Sequence, residues 1–113
     1  MKVRTIITLE ARRDIKEIGR FTFQNWGLEQ KNKYLGLINK CIEKIARGEV
    51  KGIDCHEIRT NYRKQLVGRH FIYYKWTSSA EVQITRVLHE RMDVDTNMPA
   101  QHNGIRAVTT NQT

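Results

Sequence analysis

The spacing of apolar side chains changes period along this chain, and each period predicts a different element. Between Val3 and Leu9 the β-branched Val3, Thr5, Ile6, Ile7 and Thr8 crowd together. Their stiff χ1 torsions favour extended backbone, so a first strand is expected there. Thr8 is then placed to cap a helix whose first turn carries Glu10, and Ala11, Ile15, Ile18, Thr22 and Trp26 recur at spacings of three and four, as one helical face does. Arg12, Arg13, Lys16, Glu17 and Arg20 make the opposite face polar. Gly27 suits a helix stop, and Trp26 just before it is expected to pin the helix onto the core. A second helix is predicted from about Glu29 to Arg47, with Leu35, Ile38, Ile42 and Ile45 in one stripe, Tyr34 and Cys41 widening it, and Gly48 as its stop. The connection around Gly27 is so short that the two helices are expected to form an antiparallel hairpin.

Glu49 to Glu57 has no clear period and contains Gly52, and is expected to be a connecting loop. Beyond it the pattern becomes strand-like, in three runs: Tyr62 to Val67, His70 to Trp76 and Val82 to His89, separated by turns at Gly68-Arg69 and Thr77 to Ala80. Short connections make these an antiparallel meander. The fold class that follows is α+β: an N-terminal strand, an antiparallel two-helix hairpin, and a three-stranded antiparallel meander packed on the hairpin, with the first strand pairing at the meander's edge. Met98 to Thr113 holds the only Pro and little to bury, so one domain over residues 1–97 and a flexible C-terminal tail over 98–113 are expected.

A chain of 113 residues has room for one modest core. Its 20 Lys+Arg against 12 Asp+Glu give a net charge of +8, a field that attracts nucleic acid, acidic proteins and anionic surfaces without choosing among them; part of it serves solubility. No apolar run approaches the ~20 residues that span a bilayer, and the start has no signal-peptide core, so a cytosolic protein without a membrane partner is expected. Cys41 and Cys55 are too few for a disulfide scaffold and lack metal-ligand spacing; Cys41 is expected in the core and Cys55 as a loop thiol.

No glycine-rich phosphate loop, GxSxG elbow, HExxH or paired CxxC is present, which argues against a nucleotide-dependent or metal enzyme, and no cofactor is expected. What remains is a basic and aromatic surface drawn from Arg59, Tyr62, Arg63, Lys64, Arg69, His70, Tyr73, Tyr74, Lys75, Trp76, Arg86, His89 and Arg91. Two chemistries fit it. Metal-free RNA cleavage needs a base for a 2′-hydroxyl and cations for the developing phosphorane charge. Alternatively, the same cations hold an acidic protein surface or a DNA backbone. An ordinary solvated sheet face, with Phe71, Tyr73 or Tyr74 turned to the core, accounts for any single member.

Several pieces in order carry a family resemblance: Ala11-Arg12-Arg13-Asp14-Ile15-Lys16-Glu17-Ile18; Asn25-Trp26-Gly27 with Gln30 and Tyr34; Ile58-Arg59 with Tyr62-Arg63; Gly68-Arg69-His70-Phe71-Ile72-Tyr73-Tyr74; and Arg86-Val87-Leu88-His89 with Arg91-Met92-Asp93. From Val3 to about Asp93 the chain resembles the ParE branch of the ParE/RelE toxin superfamily of type II toxin–antitoxin systems, which serve in plasmid stabilisation. The resemblance implies a toxin that binds DNA gyrase and blocks replication, neutralised by a cognate ParD-like antitoxin with an acidic toxin-binding segment, and no sequence-specific nucleic-acid binding of its own. RelE-like relatives instead cut mRNA on the ribosome, usually with Tyr or His-Tyr at the end of the last strand. Here no Tyr follows Tyr74, so a nuclease is the alternative and no catalytic residue is assigned. The residues expected to meet the target are Arg59, Tyr62, Arg63, Arg69, His70, Arg86, His89 and Arg91, and those expected to meet the antitoxin are Ile15, Ile18, Thr22, Trp26, Tyr34, Tyr73 and Trp76.

Overall fold

Thr8 turns the chain from strand to helix. Its backbone is extended, its hydroxyl accepts from the Ala11 amide at 3.1 Å and donates to the Thr85 carbonyl at 3.0 Å, so one side chain caps the helix and ties its start to the sheet. The computed structural model of the chain describes residues 2–55 and 61–92. They form β1 (Arg4–Ile7), α1 (Leu9–Ala46), β2 (Ile53–Asp54), β3 (Tyr62–Val67), β4 (His70–Ser78) and β5 (Glu81–His89). The expected tail over 98–113 and the candidate Arg59 lie outside the described residues.

The expected two helices are one 38-residue element with a single non-helical residue, Gly27, at φ 89° and ψ 178°. Only glycine takes that conformation without strain, so the chain reverses at one residue and needs no loop. Residues 19 and 35 would stand about 24 Å apart along a straight helix, yet a Cβ added at Gly19 would lie 3.1 Å from Leu35 Cδ1. The arms on either side of Gly27 therefore lie against one another. The second arm closes as expected: Gly48, at φ 73°, donates to the Ile45 carbonyl, and Glu49 to that of Lys44.

The sheet is mixed and five-stranded, in the order β1-β5-β4-β3-β2. β1 runs parallel to β5, Arg4 facing Glu81 and Ile7 facing Ile84, while the other neighbours are antiparallel. The expected four strands are thus five, because Ile53 and Asp54 pair with Lys64 and Arg63 inside the segment expected to be loop; two residues are too few to show a period. Ile38, Ile42 and Ile45 from the second arm and Ala11 from the first pack on Ile72, Tyr74, Val82, Ile84 and Val87. Alternation sends Tyr73 to the other face, where it joins Cys55, Tyr62, Leu88 and the half-buried Phe71 in a second, smaller cluster. Cys55, expected as a loop thiol, is 2% exposed inside that cluster. An irregularity between the pairs Tyr73–Arg86 and Tyr74–Ile84 leaves Thr85 as an extra residue on β5, with its hydroxyl donating to the Tyr73 carbonyl at 3.1 Å. It lets Ile84 and Val87, three positions apart, share the helix-facing core.

Candidate functional site

The end of the sheet where the β3–β4 turn meets the last residues of β5 gathers the largest group of expected site residues. The turn is built on Gly68, whose φ of +60° suits glycine. A Cβ there would also lie 2.5 Å from the Tyr34 ring. Tyr34, from the second arm of α1, closes over the turn: its Oη accepts from the Arg69 amide at 3.0 Å and stands 3.2 Å from the Val67 carbonyl and 2.6 Å from His70 Nδ1. His70 and His89 are cross-strand partners with ring centroids 5.3 Å apart, edge to face. His89 Nδ1 accepts from the Arg91 amide at 3.1 Å.

Two carboxylates meet two of the arginines of this region, Arg69 and Arg86. Arg69 Nε meets Glu90 Oε2 at 2.6 Å, in an ion pair with Arg69 63% exposed, a setting in which such a pair stabilises by about 1 kcal/mol or less. Asp14 holds Arg86 in a fork, Oδ2 at 2.7 Å from Nε and Oδ1 at 2.9 Å from Nη2, and also accepts from the Val87 amide at 2.9 Å. That pair is mostly withdrawn from solvent. The Asp14 hydrogen bond raises the Arg86 pKa against the opposing effect of burial, so Arg86 stays charged and committed to α1.

Burial pushes the His70 pKa below its ordinary value, His89 adds to the effect, and Glu90 and Asp14 oppose it. The unfolded chain therefore binds a proton that folded His70 resists. Stability should be full at neutral pH and fall as the pH drops below about 6.5, the ordinary histidine value. Thermal melts between pH 5 and 7.5 check this: His70→Gln should flatten the acid limb, and an unchanged limb would remove His70 as its source.

The other expected residues lie elsewhere. Arg63 is anchored on the loop before β2, donating to the carbonyls of Lys51 and Gly52. Tyr62 is 7% exposed in the second cluster, and Tyr73 is 2% exposed beside it, so neither offers its ring to a partner. Thr22 is also buried, its hydroxyl donating to the Ile18 carbonyl. Ile15, Ile18 and Trp76 are half-buried against the main core. Trp26, expected to pin the core, is instead 66% exposed next to the reversal at Gly27, its ring 6.0 Å from that of Phe21. Phe21, Phe23 and Leu28 are exposed as well, and a groove on this arm is lined by Arg13, Lys16, Glu17, Arg20, Phe23 and Lys31, with Glu17 paired to Arg20. Sequence reasoning missed this apolar end, because Phe21 and Phe23 fall off the Ala11–Trp26 stripe, and it missed Asp14 and Glu90, whose partners are remote in sequence. Among the described residues no group of three or more His, Cys, Asp or Glu is placed to hold a metal, and no helix is long and apolar enough to cross a membrane.

Comparison with known proteins gives this surface a context. Residues 5–94 match the family model described as the ParE toxin of the type II toxin–antitoxin system parDE. Toxin ParE1 of Mycobacterium tuberculosis is 36% identical over 98 residues, covering 87% of this chain and all of the relative. Toxin ParE1 of Caulobacter vibrioides is 31% identical over 77% of this chain and 88% of its own length, and Toxin ParE of Escherichia coli 29% identical over 82% and 90%. Among solved structures, a chain of the chromosomal ParDE toxin–antitoxin system from P. aeruginosa superposes with a TM-score of 0.67, at 16% identity, over 77% of this chain and 95% of that one, which speaks for the fold. A match across this much of the chain, together with relatives of nearly the same length, makes it a member of the ParE toxin family of type II toxin–antitoxin systems.

Proposed function

We propose that the toxin acts by binding DNA gyrase and arresting replication, and that a ParD-like antitoxin with an acidic segment neutralises it in the cytoplasm. The family match supports a toxin. The observation that carries binding over cleavage is the clamp on Arg86, which Asp14 withdraws from solvent and commits to α1, whereas the exposed pair of Arg69 with Glu90 is weak enough to yield to a partner. No tyrosine follows Tyr74 to serve as a general acid or base. The exposed cations of this end, Arg69 and Arg91, suit contact with an acidic protein surface. For the antitoxin, the groove beside Phe23, lined by Arg13, Lys16, Arg20 and Lys31 with Glu17 among them, and the exposed Trp26 near the reversal offer apolar anchorage in a mainly basic setting. Residues 1–97 would carry both contacts, in keeping with a family match over residues 5–94, and a plasmid-stabilising role would follow from the pair.

The test is a supercoiling and cleavage assay with purified gyrase, run beside ribosome-dependent mRNA cleavage. Trapped linear DNA with intact mRNA is expected, and Arg69→Ala combined with Arg91→Ala should weaken gyrase inhibition about tenfold or more, as removal of interface arginines does. Cut mRNA with normal supercoiling would move the activity to the nuclease side and recast His70 and His89 as its chemical groups.

A further inference from the structure

We infer that Tyr34 is the positioning residue of the basic end of the sheet, its hydroxyl holding the Gly68–Arg69 turn in place and fixing His70 as the imidazole that carries its proton on Nε2. This inference rests on the proposed use of that end as the target-binding surface. Tyr34 belongs to α1, yet its Oη lies within hydrogen-bonding distance of three groups on either side of Gly68, Val67 O, Arg69 N and His70 Nδ1. A phenol has one proton to give. The Arg69 amide takes up a lone pair, so the proton goes either to the Val67 carbonyl at 3.2 Å or to His70 Nδ1 at 2.6 Å. Acceptance from a His70 Nδ1–H with donation to Val67 would use the same contacts. We assign the proton to His70 Nδ1 because the contact there is much the shorter and imidazole nitrogen is the stronger acceptor, and the tautomer is what the experiment reads.

The consequence is chemical. A neutral imidazole that accepts at Nδ1 must be protonated at Nε2. His89 follows the same rule, since its Nδ1 accepts from the Arg91 amide. Both cross-strand histidines thus spend Nδ1 on internal contacts, and in their neutral form each keeps Nε2–H as a donor beside Arg69 and Arg91. Burial also pushes the Tyr34 pKa upward, so the hydroxyl keeps the proton it donates. Tyr34 and the Gly68 turn are fitted to one another: with glycine at position 68 the ring closes down on the backbone, and any Cβ would displace it.

The experiment uses the full chain with 15N-labelled histidine. Wild-type His70 should show an unprotonated Nδ1 and a protonated Nε2. Tyr34→Phe, which keeps the ring, should populate both tautomers, speed exchange of the Arg69 amide several-fold, and weaken gyrase inhibition several-fold. A wild-type His70 protonated at Nδ1 overturns the inference, even if the variant fails to fold. Spectra unchanged in Tyr34→Phe also overturn it. If the tautomer changes as expected but the wild-type chain leaves gyrase untouched, the gyrase reading fails and the role of Tyr34 in the turn stands. If wild type inhibits and Tyr34→Phe inhibits equally well, the positioning role fails and the gyrase reading stands.

Discussion

Asp14→Ala lowers the melting temperature by more than about 10 °C. The carboxylate makes three contacts at once, two to the Arg86 guanidinium and one to the Val87 amide, in a place where Asp14 and Arg86 retain 14% and 19% of their side-chain exposure. Removing one partner of a desolvated pair costs about 3 kcal/mol, because the other charge keeps its desolvation penalty after losing the interaction that offset it. In a domain of this size each kcal/mol moves the midpoint by about 4–8 °C. Arg86→Leu should be milder, because the Asp14 carboxylate left behind keeps the Val87 amide as a partner, whereas Asp14→Ala takes both guanidinium contacts and the amide contact at once. A melt of Asp14→Ala within about 3 °C of wild type would show that the clamp does not hold the first arm to the sheet.

Ile38→Ala should cost about 3 kcal/mol. Ile38 has no exposed surface and lies in the main core with Ile42 and Ile45 from its own arm and Ile72, Ile84 and Val87 from the sheet. Truncation to alanine removes three carbons and leaves a cavity that close-packed strands cannot collapse to fill. The urea midpoint should fall with little change in slope. Leu37→Ala, one residue away and 50% exposed, serves as the control with little effect. Similar losses in the two variants would mean that the second arm is not seated as described.

The two predictions also show where the sequence was legible. Ile38, Ile42 and Ile45 announce their role by spacing alone, because one helical face must be apolar to pack on a sheet. Thr8 and Gly48 do so through capping chemistry. The clamp is invisible at that level: Asp14 and Arg86 are 72 positions apart, each looks like one more surface charge, and the register that brings them together exists only once the sheet is formed. The site divides in the same way. Arg69, His70 and His89 follow from the turn and the strand ends, whereas Glu90 as the partner of Arg69 and Tyr34 as the lid of the turn require the geometry. Trp26 shows the opposite failure. It continues the apolar spacing of its helix beyond the point where a neighbour exists to cover it, and periodicity cannot report where packing stops. β2 escaped notice because a two-residue strand is defined by its partner rather than by its own sequence.

The parallel pairing of β1 with β5 has an effect on how the domain comes into being. The strand made first waits for the strand made last: Arg4 faces Glu81 and Ile7 faces Ile84, and contacts of such long sequence separation form slowly. A chain interrupted anywhere before β5 lacks the neighbour of β1, the partner of Asp14 and one wall of the main core together. The five-stranded sheet is therefore completed only after β5 has been made. Any chain that stops short of β5 also lacks His89, so the end of the sheet where His70 and His89 face one another is incomplete until that strand has been made.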